Sequence, residues 1–186
     1  LQDQASVSQS EFINPKTEAY KVKPGDRLFL KVYSSDKQTS MFFQTDLPSF
    51  MNKTYEYLNS YPVDQQGYLN FSFIEKLKVE GMTVYEVEKT IQEALKEYFK
   101  DVTVVAKLVN FQITVLGEVL NEGKYTINEE NINLLQALAL AGGIEDFGNR
   151  KEVALIRQTK DGSKVHYLDL TDKRILESEL YYVQPG

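Results

Sequence analysis

The stretch that decides the fold is YKVKPGDRLFLKVY, residues Tyr20–Tyr33. Its centre, Pro24-Gly25-Asp26, predicts a tight turn, because proline presets φ for a turn position and glycine accepts a positive φ. The residues after the turn alternate between apolar and polar or aromatic, which is the period of a half-buried strand. The alternating apolar residues are Leu28, Leu30 and Val32. We therefore predict a turn that leads directly into a strand.

Nearly the same letters return in YYVQPG, residues Tyr181–Gly186. The repeat predicts a second turn of the same kind at Pro185 and Gly186. We interpret the two copies as structural turns, each of which leads the chain into a strand. Neither copy by itself indicates a binding site.

Composition describes a folded protein with room for two small domains. The chain has 186 residues, of which 42% are hydrophobic and 26% charged, unlike a disordered chain of low hydrophobicity and high net charge. It has 27 acidic and 21 basic residues and a net charge of −6. No cluster of Lys and Arg is visible, which disfavours a nucleic-acid partner.

Two further classes are excluded by residue content. The chain has no cysteine, so it forms no disulfide, thiolate metal site or cysteine nucleophile. The longest mostly apolar run, INLLQALALAGGI, is too short and too interrupted by polar residues to span a bilayer. The sequence also shows no signal peptide.

The first half of the chain predicts a strand, a hairpin, a helix and a second strand. Residues 1–19 are polar without periodicity, which indicates a flexible arm, and residues 34–60 form a long aromatic-rich insertion. A turn at Gly67 precedes the alternating strand YLNFSF. A capping box then opens a helix over about 83–99, and the β-branched run DVTVVAKLV follows as a strand.

The second half starts the order again. FQITVLGEV and KYTI predict two strands, with Gly117 and Glu118 at a bulge or tight turn. Asn133 and Gln136 open a short helix that closes on Gly142-Gly143. KEVALIR and SKVHYLDL predict a last hairpin. Strands around one helix, ββαββ, indicate a small β-grasp-like unit.

These segments together resemble a known family. YKVKPGDRLFLKVY, DQQGYLNF, EGMTVYEVEKTIQEALKEYF and VTVVAKL are similar to the polysaccharide biosynthesis/export domain. ITVLGEVLNEGKYTI, NLLQALALAGGIEDFGNRKEVALIR and LYYVQPG are similar to the SLBB (soluble-ligand-binding β-grasp) domain that follows it in Wza-type outer-membrane exporters. The resemblance implies an α+β fold: an export domain over 20–110 with a mixed sheet and one long helix, then an SLBB domain over 111–186.

The resemblance also implies a function. The chain would be the periplasmic part of an outer-membrane lipoprotein that forms an oligomeric ring, through whose lumen a capsular or exopolysaccharide passes. No bond is made or broken, so no enzyme and no cofactor are expected. The implied partners are the polysaccharide, other copies of the chain and an inner-membrane chain-length regulator, a tyrosine kinase or its equivalent.

Parts outside the given sequence are expected on the same ground. The family implies a lipid-bearing Cys before residue 1 and a membrane-crossing segment farther toward the C-terminus. Because its SLBB unit ends in a Pro-Gly-Asp turn and a strand, we expect Asp and a strand after Gly186, so that the SLBB domain is truncated here.

Aromatic residues between 42 and 73 are the candidate binding surface. Their rings could stack on sugars, pack the insertion, or form a subunit contact, and the sequence leaves these alternatives open. The nine aromatics are Phe42, Phe43, Phe50, Tyr55, Tyr57, Tyr61, Tyr68, Phe71 and Phe73. The residues chosen as possible glycan or subunit contacts are Phe42, Phe43, Tyr55, Tyr57 and Tyr61.

The remaining chosen residues are structural. They are Tyr20, Pro24, Gly25, Asp26, Gly67, Gly117, Glu118, Gly142, Gly143, Pro185 and Gly186. No catalytic pair of carboxylates is chosen, since sequence spacing cannot place two of them across a bond. The single histidine, His166, makes no metal cluster. A β-grasp module that binds a soluble oligosaccharide, without a pore, is the alternative function.

Overall fold

The computed structural model describes residues 11–15, 19–43, 53–159 and 162–185. The predicted α+β class is confirmed. The strands are β1 (Arg27–Ser34), β2 (Tyr61–Pro62), β3 (Tyr68–Phe71), β4 (Ile74–Lys78), β5 (Val102–Leu108), β6 (Gln112–Val115), β7 (Gly123–Thr126), β8 (Ile132–Asn133), β9 (Val153–Thr159), β10 (Gly162–Leu168) and β11 (Tyr182–Val183). The helices are α1 (Lys37–Phe43), α2 (Lys53–Leu58), α3 (Val84–Leu95) and α4 (Leu134–Leu140), with a 3-10 turn at Lys173–Glu177.

The first unit is built on a three-stranded sheet in the order β2-β1-β5. The register of β1 and β5 runs from Leu28 opposite Leu108 to Ser34 opposite Val102. The predicted mixed sheet is wrong for the described strands, since every pair among them is antiparallel. The reason is that the chain leaves α3 near the end of β1, so β5 begins opposite Ser34 and runs antiparallel to β1.

Helix α3 closes this sheet. Its residues Val87, Ile91 and Leu95, at i, i+4 and i+8, are fully buried in the core. The helix ends four residues before the predicted Phe99, because the Lys96 N–H is shared by two preceding carbonyls and the turn tightens there.

Side chains of α3 also cover the free edge of the sheet. The N–H of Ala106 donates to Glu88 Oε1 at 2.7 Å, and the N–H of Val104 donates to Gln92 Oε1 at 3.4 Å. Because β5 is the last strand of its sheet, these donors would otherwise stay unpaired within the fold.

The two copies of the turn motif occupy equivalent places. Thr83 and Asn133 are the N-caps of α3 and α4. The capping box predicted at Thr83 is confirmed, and so is the start of the second helix at Asn133, which also forms a capping box. Lys21, in the first copy, forms a β-bridge with Thr83. Tyr182, at the same place in the second copy, pairs with Asn133. Each copy therefore pairs the residue three before its proline with the N-cap of the longest helix of its own unit, which lies after the first copy and before the second.

The second unit consists of α4 and three antiparallel strand pairs, β6-β7, β8-β11 and β9-β10. Its core residues are Phe111, Ile113, Ile127, Ile132 and Ala137. The predicted strands and the short helix are present, although the first strand is confined to Gln112–Val115. Among the residues described, no helix has the length and apolar character needed to cross a membrane.

The described parts of the insertion, residues 34–43 and 53–60, contain two helices that no pattern in the sequence predicted. Asp36 begins α1, since its carboxylate accepts from the Thr39 N–H at 2.7 Å. Helix α2 lies on β1, where the rings of Tyr55 and Phe29 meet edge to face at 6.5 Å. The short helices have no long apolar repeat in sequence, which is why periodicity did not indicate them.

We predict unequal costs for alanine at the two glycines that end α4. Both have positive φ, at +81° for Gly142 and +90° for Gly143, so each substitution costs about 1–2 kcal/mol of backbone strain. A Cβ at Gly142 would also lie 2.9 Å from Leu120 Cβ, whereas one at Gly143 meets nothing within 4 Å. Gly142→Ala should therefore lose about 1–3 kcal/mol more unfolding free energy in urea denaturation. Equal losses would contradict this packing.

Candidate functional site

The Pro24-Gly25-Asp26 turn is held by its own side chains. Gly25 has φ +91°, and the N–H of Asp26 donates to the Lys23 carbonyl at 3.1 Å. The Asp26 carboxylate, only 7% exposed, accepts from the Lys23 N–H at 2.8 Å and from the Tyr20 hydroxyl at 2.9 Å. The structure thus brings Tyr20 and Asp26, both chosen from sequence, into direct contact.

Burial alters the titration of both groups. Burial raises the pKa of the Tyr20 hydroxyl, and the negative charge of Asp26 beside it raises that pKa further. Burial also raises the pKa of Asp26, against the opposing effect of the hydrogen bonds from Lys23 and Tyr20. The contact is therefore most stable while Tyr20 keeps its proton.

The same turn is attached to the junction between the two units. The side-chain amide of Asn110 donates to the Gly25 carbonyl at 3.1 Å and accepts from the Arg27 N–H at 2.9 Å. Asn110 directly precedes Phe111, which is in the second core. Sequence reasoning did not single out Asn110, because one polar residue between two strands gives no periodic signal.

We predict that Tyr20→Phe lowers the unfolding free energy by about 1–3 kcal/mol at pH 7, because the buried Asp26 carboxylate loses a donor. The difference in unfolding free energy between the wild type and Tyr20→Phe should become smaller above pH 10. There the unfolded chain loses the Tyr20 proton near its ordinary pKa of 10.0 while the folded chain keeps it, so the wild type is destabilised and the variant is not.

The measurement is urea denaturation of both proteins across that pH range. Tyr85→Phe is the matched control, since Tyr85 is exposed on α3. A deficit that stays constant with pH would show that Tyr20 does not titrate through this contact.

Several of the chosen aromatics pack against one another. Phe43 is parallel to Phe71 at 6.4 Å and meets Phe99 edge to face at 5.2 Å. Tyr61 meets Phe71 edge to face at 5.0 Å, and Phe73 meets Phe99 at 5.1 Å. These five residues form one aromatic cluster beside the first core.

Tyr57 makes a different contact. The guanidinium of Arg27 lies 4.8 Å from the centre of its ring, and Arg27 Nε donates to Ser60 Oγ at 2.8 Å. Tyr57 keeps about half of its surface exposed. The side chain of Phe42 and the whole of Phe50 lie outside the described residues. That these aromatics contact a glycan or a subunit stays a prediction.

Phe73 has an unusual backbone that the sequence did not reveal. Its φ is +71° at the tip of the β3-β4 hairpin, a region that a large side chain rarely adopts. The ring lies exposed, 6.5 Å from the exposed ring of Tyr98. Tyr98 falls within the helix predicted over about 83–99, but α3 ends at Leu95, so Tyr98 lies beyond the helix.

The remaining glycine positions are turns. Gly67 has φ +78°, and a Cβ there would lie 2.4 Å from Glu80 Cβ. Gly117 has φ +106°, and its N–H donates to Glu122 Oε1 at 2.5 Å. The Glu118 carbonyl accepts from the Glu145 N–H at 2.9 Å. Gly186 lies outside the described residues.

A cleft of about 510 Å³ separates the two units, and both copies of the turn motif line it. We call it the interdomain cleft. The first unit contributes Pro15, Ala19, Tyr20, Lys21 and Lys23, and the second contributes Phe111, Glu130, Asn131, Arg157, Glu179, Tyr182, Val183, Gln184 and Pro185. No pattern in the sequence indicates this cleft, because its lining comes from segments far apart in the chain.

Arg157 is the half-buried cation of this cleft. Its Nη2 donates to the Tyr182 carbonyl at 2.7 Å, whereas its buried Nε has no hydrogen-bond partner in the described structure. Burial lowers the pKa of the guanidinium, and the nearby charge of Glu179 partly opposes that change. Within the described ranges no three His, Cys, Asp or Glu side chains are grouped to hold a metal ion.

Comparison with known proteins gives two family matches in order. Residues 14–109 match the family described as "Polysaccharide biosynthesis/export protein", and residues 112–181 match the family described as "SLBB domain". The first match covers 96 of the 186 residues, which is more than half of the chain.

Two curated relatives carry the same description, "EPS I polysaccharide export outer membrane protein EpsA". The protein from Ralstonia nicotianae is 28% identical over 155 residues, which are 78% of this chain and 40% of the relative. The protein from Ralstonia solanacearum is 29% identical over 140 residues, which are 69% of this chain and 36% of the relative. The chain thus spans about two fifths of the length of these relatives.

Proposed function

This chain belongs to the polysaccharide biosynthesis/export protein family, and on that premise we propose that it is the periplasmic portion of an outer-membrane polysaccharide export lipoprotein. Several copies form a conduit for a capsular polysaccharide or exopolysaccharide. The observation that carries this proposal is the export match followed by the SLBB match, in a chain similar to two proteins described as exporters of EPS I. The two domains are proposed at 20–110 and 111–186.

Conduction of this kind requires no bond to be made or broken. A hydrated polymer passes through a wide lumen most readily when the wall repels or ignores it, because tight binding at each step would slow release. The net charge of −6 limits non-specific retention of an acidic polymer by the surface of the chain as a whole. In the proposed assembly, the outer membrane is reached through a lipid anchor and a C-terminal segment, and the inner-membrane partner is the chain-length regulator.

One face of the β9-β10 hairpin supports contacts between copies. Ile156 is directly opposite Val165, and Ala154 is opposite Tyr167, so these four side chains share one face. Three of these side chains are large and exposed: Ile156 by 61%, Val165 by 50% and Tyr167 by 70%. A two-stranded hairpin is marginally stable when one apolar face meets water. In a homo-oligomeric conduit, this apolar face would be covered by a second copy of the chain.

We predict that Ile156→Ser combined with Tyr167→Ser lowers the mass of the full-length lipidated protein in detergent, measured by light scattering. Both side chains are exposed, so the unfolding free energy of a single copy should change by less than about 0.5 kcal/mol. Tyr85→Ser on the exposed side of α3 is the control and should leave the mass unchanged.

The wild-type mass tests the conduit itself. A large closed oligomer supports the proposal and makes the hairpin face a subunit contact if the double variant dissociates. A wild-type monomer would refute the conduit. If the double variant stays oligomeric, the hairpin face is not the subunit contact, but the conduit is not refuted.

The half-exposed Tyr57, whose ring lies against Arg27, favours one alternative, an oligosaccharide-binding module. In that case the isolated chain binds a neutral oligosaccharide saturably, and Tyr55→Ala or Tyr57→Ala weakens binding about tenfold or more. Calorimetric titration measures it, with Tyr85→Ala as control. Absence of neutral-sugar binding removes this alternative and leaves the conduit as the proposed function.

A further inference from the structure

The interdomain cleft is locally basic in an acidic protein. Lys21, Lys23 and Arg157 contribute three positive charges to its described lining, and Glu130 and Glu179 contribute two negative charges. Among the described residues, no ion pair within 4.0 Å joins any of these three cations to either carboxylate. Glu86, Asp26 and Glu179 act electrostatically on Lys21, Lys23 and Arg157 respectively. Among the described residues none of these pairs is an ion pair within 4.0 Å, so an anion from solution can still approach the three cations.

Arg157 is the anchor of this arrangement. It extends from the inward face of β9, and its hydrogen bond to the Tyr182 carbonyl fixes the guanidinium against the second copy of the turn motif. The guanidinium has five N–H donors, and burial makes each unpaired donor costly. Its buried Nε lacks a partner in the described structure. A bound oxyanion would satisfy the donors that face the cleft and compensate the buried charge.

The two lysines lie on the opposite wall. Both belong to the first copy of the motif and are exposed, and Lys23 Nζ lies 5.4 Å from the centre of the Tyr20 ring. The backbone of Lys21 is fixed by its bridge to Thr83. The cations of the cleft therefore extend from both units, Lys21 on a backbone bridged to the N-cap of α3 and Arg157 on a strand paired with β10.

We propose that the interdomain cleft binds an oxyanion carried by a saccharide, such as the carboxylate of a uronic acid, between Arg157 on one wall and Lys21 and Lys23 on the other. The volume of about 510 Å³ admits one or two sugar rings beside the apolar side chains of Val183 and Pro185. The identification of the ligand as a piece of the exported polymer rests on the proposed function. The anion site itself rests on the cleft alone.

The test is calorimetric titration of the whole 186-residue chain with a hexamer of galacturonate, with cellohexaose as the neutral hexamer, and with inorganic phosphate. We expect saturable binding of hexagalacturonate that weakens as salt rises. Arg157→Gln and Lys23→Gln should each weaken it about tenfold, the effect of losing one charge-assisted hydrogen bond. Arg174→Gln is the control, since Arg174 is exposed and pairs with Asp172 at 2.6 Å outside the cleft.

Each other outcome has a definite meaning. If phosphate displaces hexagalacturonate at equal concentration, the oxyanion site stands and its source is free phosphate. If cellohexaose binds as tightly as hexagalacturonate, or if neither binds, the proposal is refuted. Unchanged affinity in both cleft variants also refutes it. If Arg157→Gln unfolds, Lys23→Gln decides the question, because Lys23 is exposed.

These results are separable from the fate of the proposed function. Export is measured independently, as polymer at the surface of cells with and without the full-length lipidated protein. If the full-length protein restores export while the 186-residue chain binds no acidic sugar, the anion site alone is refuted. If the 186-residue chain binds acidic sugar while the full-length protein restores no export, the conduit alone is refuted.

Discussion

The rest of the structure depends on one buried carboxylate. Asp26 closes the turn by accepting from Lys23 and Tyr20, and this fixes where β1 begins. The side chain of Asn110 also holds this turn, through hydrogen bonds to the backbone of Gly25 and Arg27. The segment before the first sheet, the sheet itself and the junction to the second unit therefore meet at one turn. Loss of the carboxylate would remove the two hydrogen bonds that close this turn.

The repeated motif shows how a short sequence can be reused for position rather than for chemistry. In both copies, the residue three before the proline pairs with the N-cap of a helix, α3 for the first copy and α4 for the second. The cap is thereby stabilised twice, once by its capping box and once by a strand partner. Because both copies follow this rule, their side chains come to line the same cleft.

The sequence predicted what depends on local periodicity and turn chemistry. The alternation after Asp26, the capping boxes at Thr83 and Asn133, and the glycine end of α4 were all visible in short windows. It did not predict where α3 ends. The apolar pattern continues beyond Leu95, but the helix stops there, and the Lys96 N–H is shared between the carbonyls of Gln92 and Glu93. The short helices α1 and α2 have too few residues to show a period.

The site was less predictable than the fold. The sequence identified Tyr20 and Asp26 as a motif without showing that they touch, because contact between them depends on burial and not on spacing. It gave no signal for Arg157, which occupies an ordinary place in a β-strand and becomes notable only through the segment packed against it. Long-range contacts of this kind carry no local pattern.

The cover that α3 provides over β5 has a consequence for how crowded copies behave. The side chains of Glu88 and Gln92 occupy backbone donors at the end of the sheet, where a strand from another molecule would otherwise add. Copies held side by side at high local density therefore cannot fuse their sheets through this edge. At this edge, contact between copies is limited to side chains and excludes backbone pairing, which can extend from copy to copy without limit.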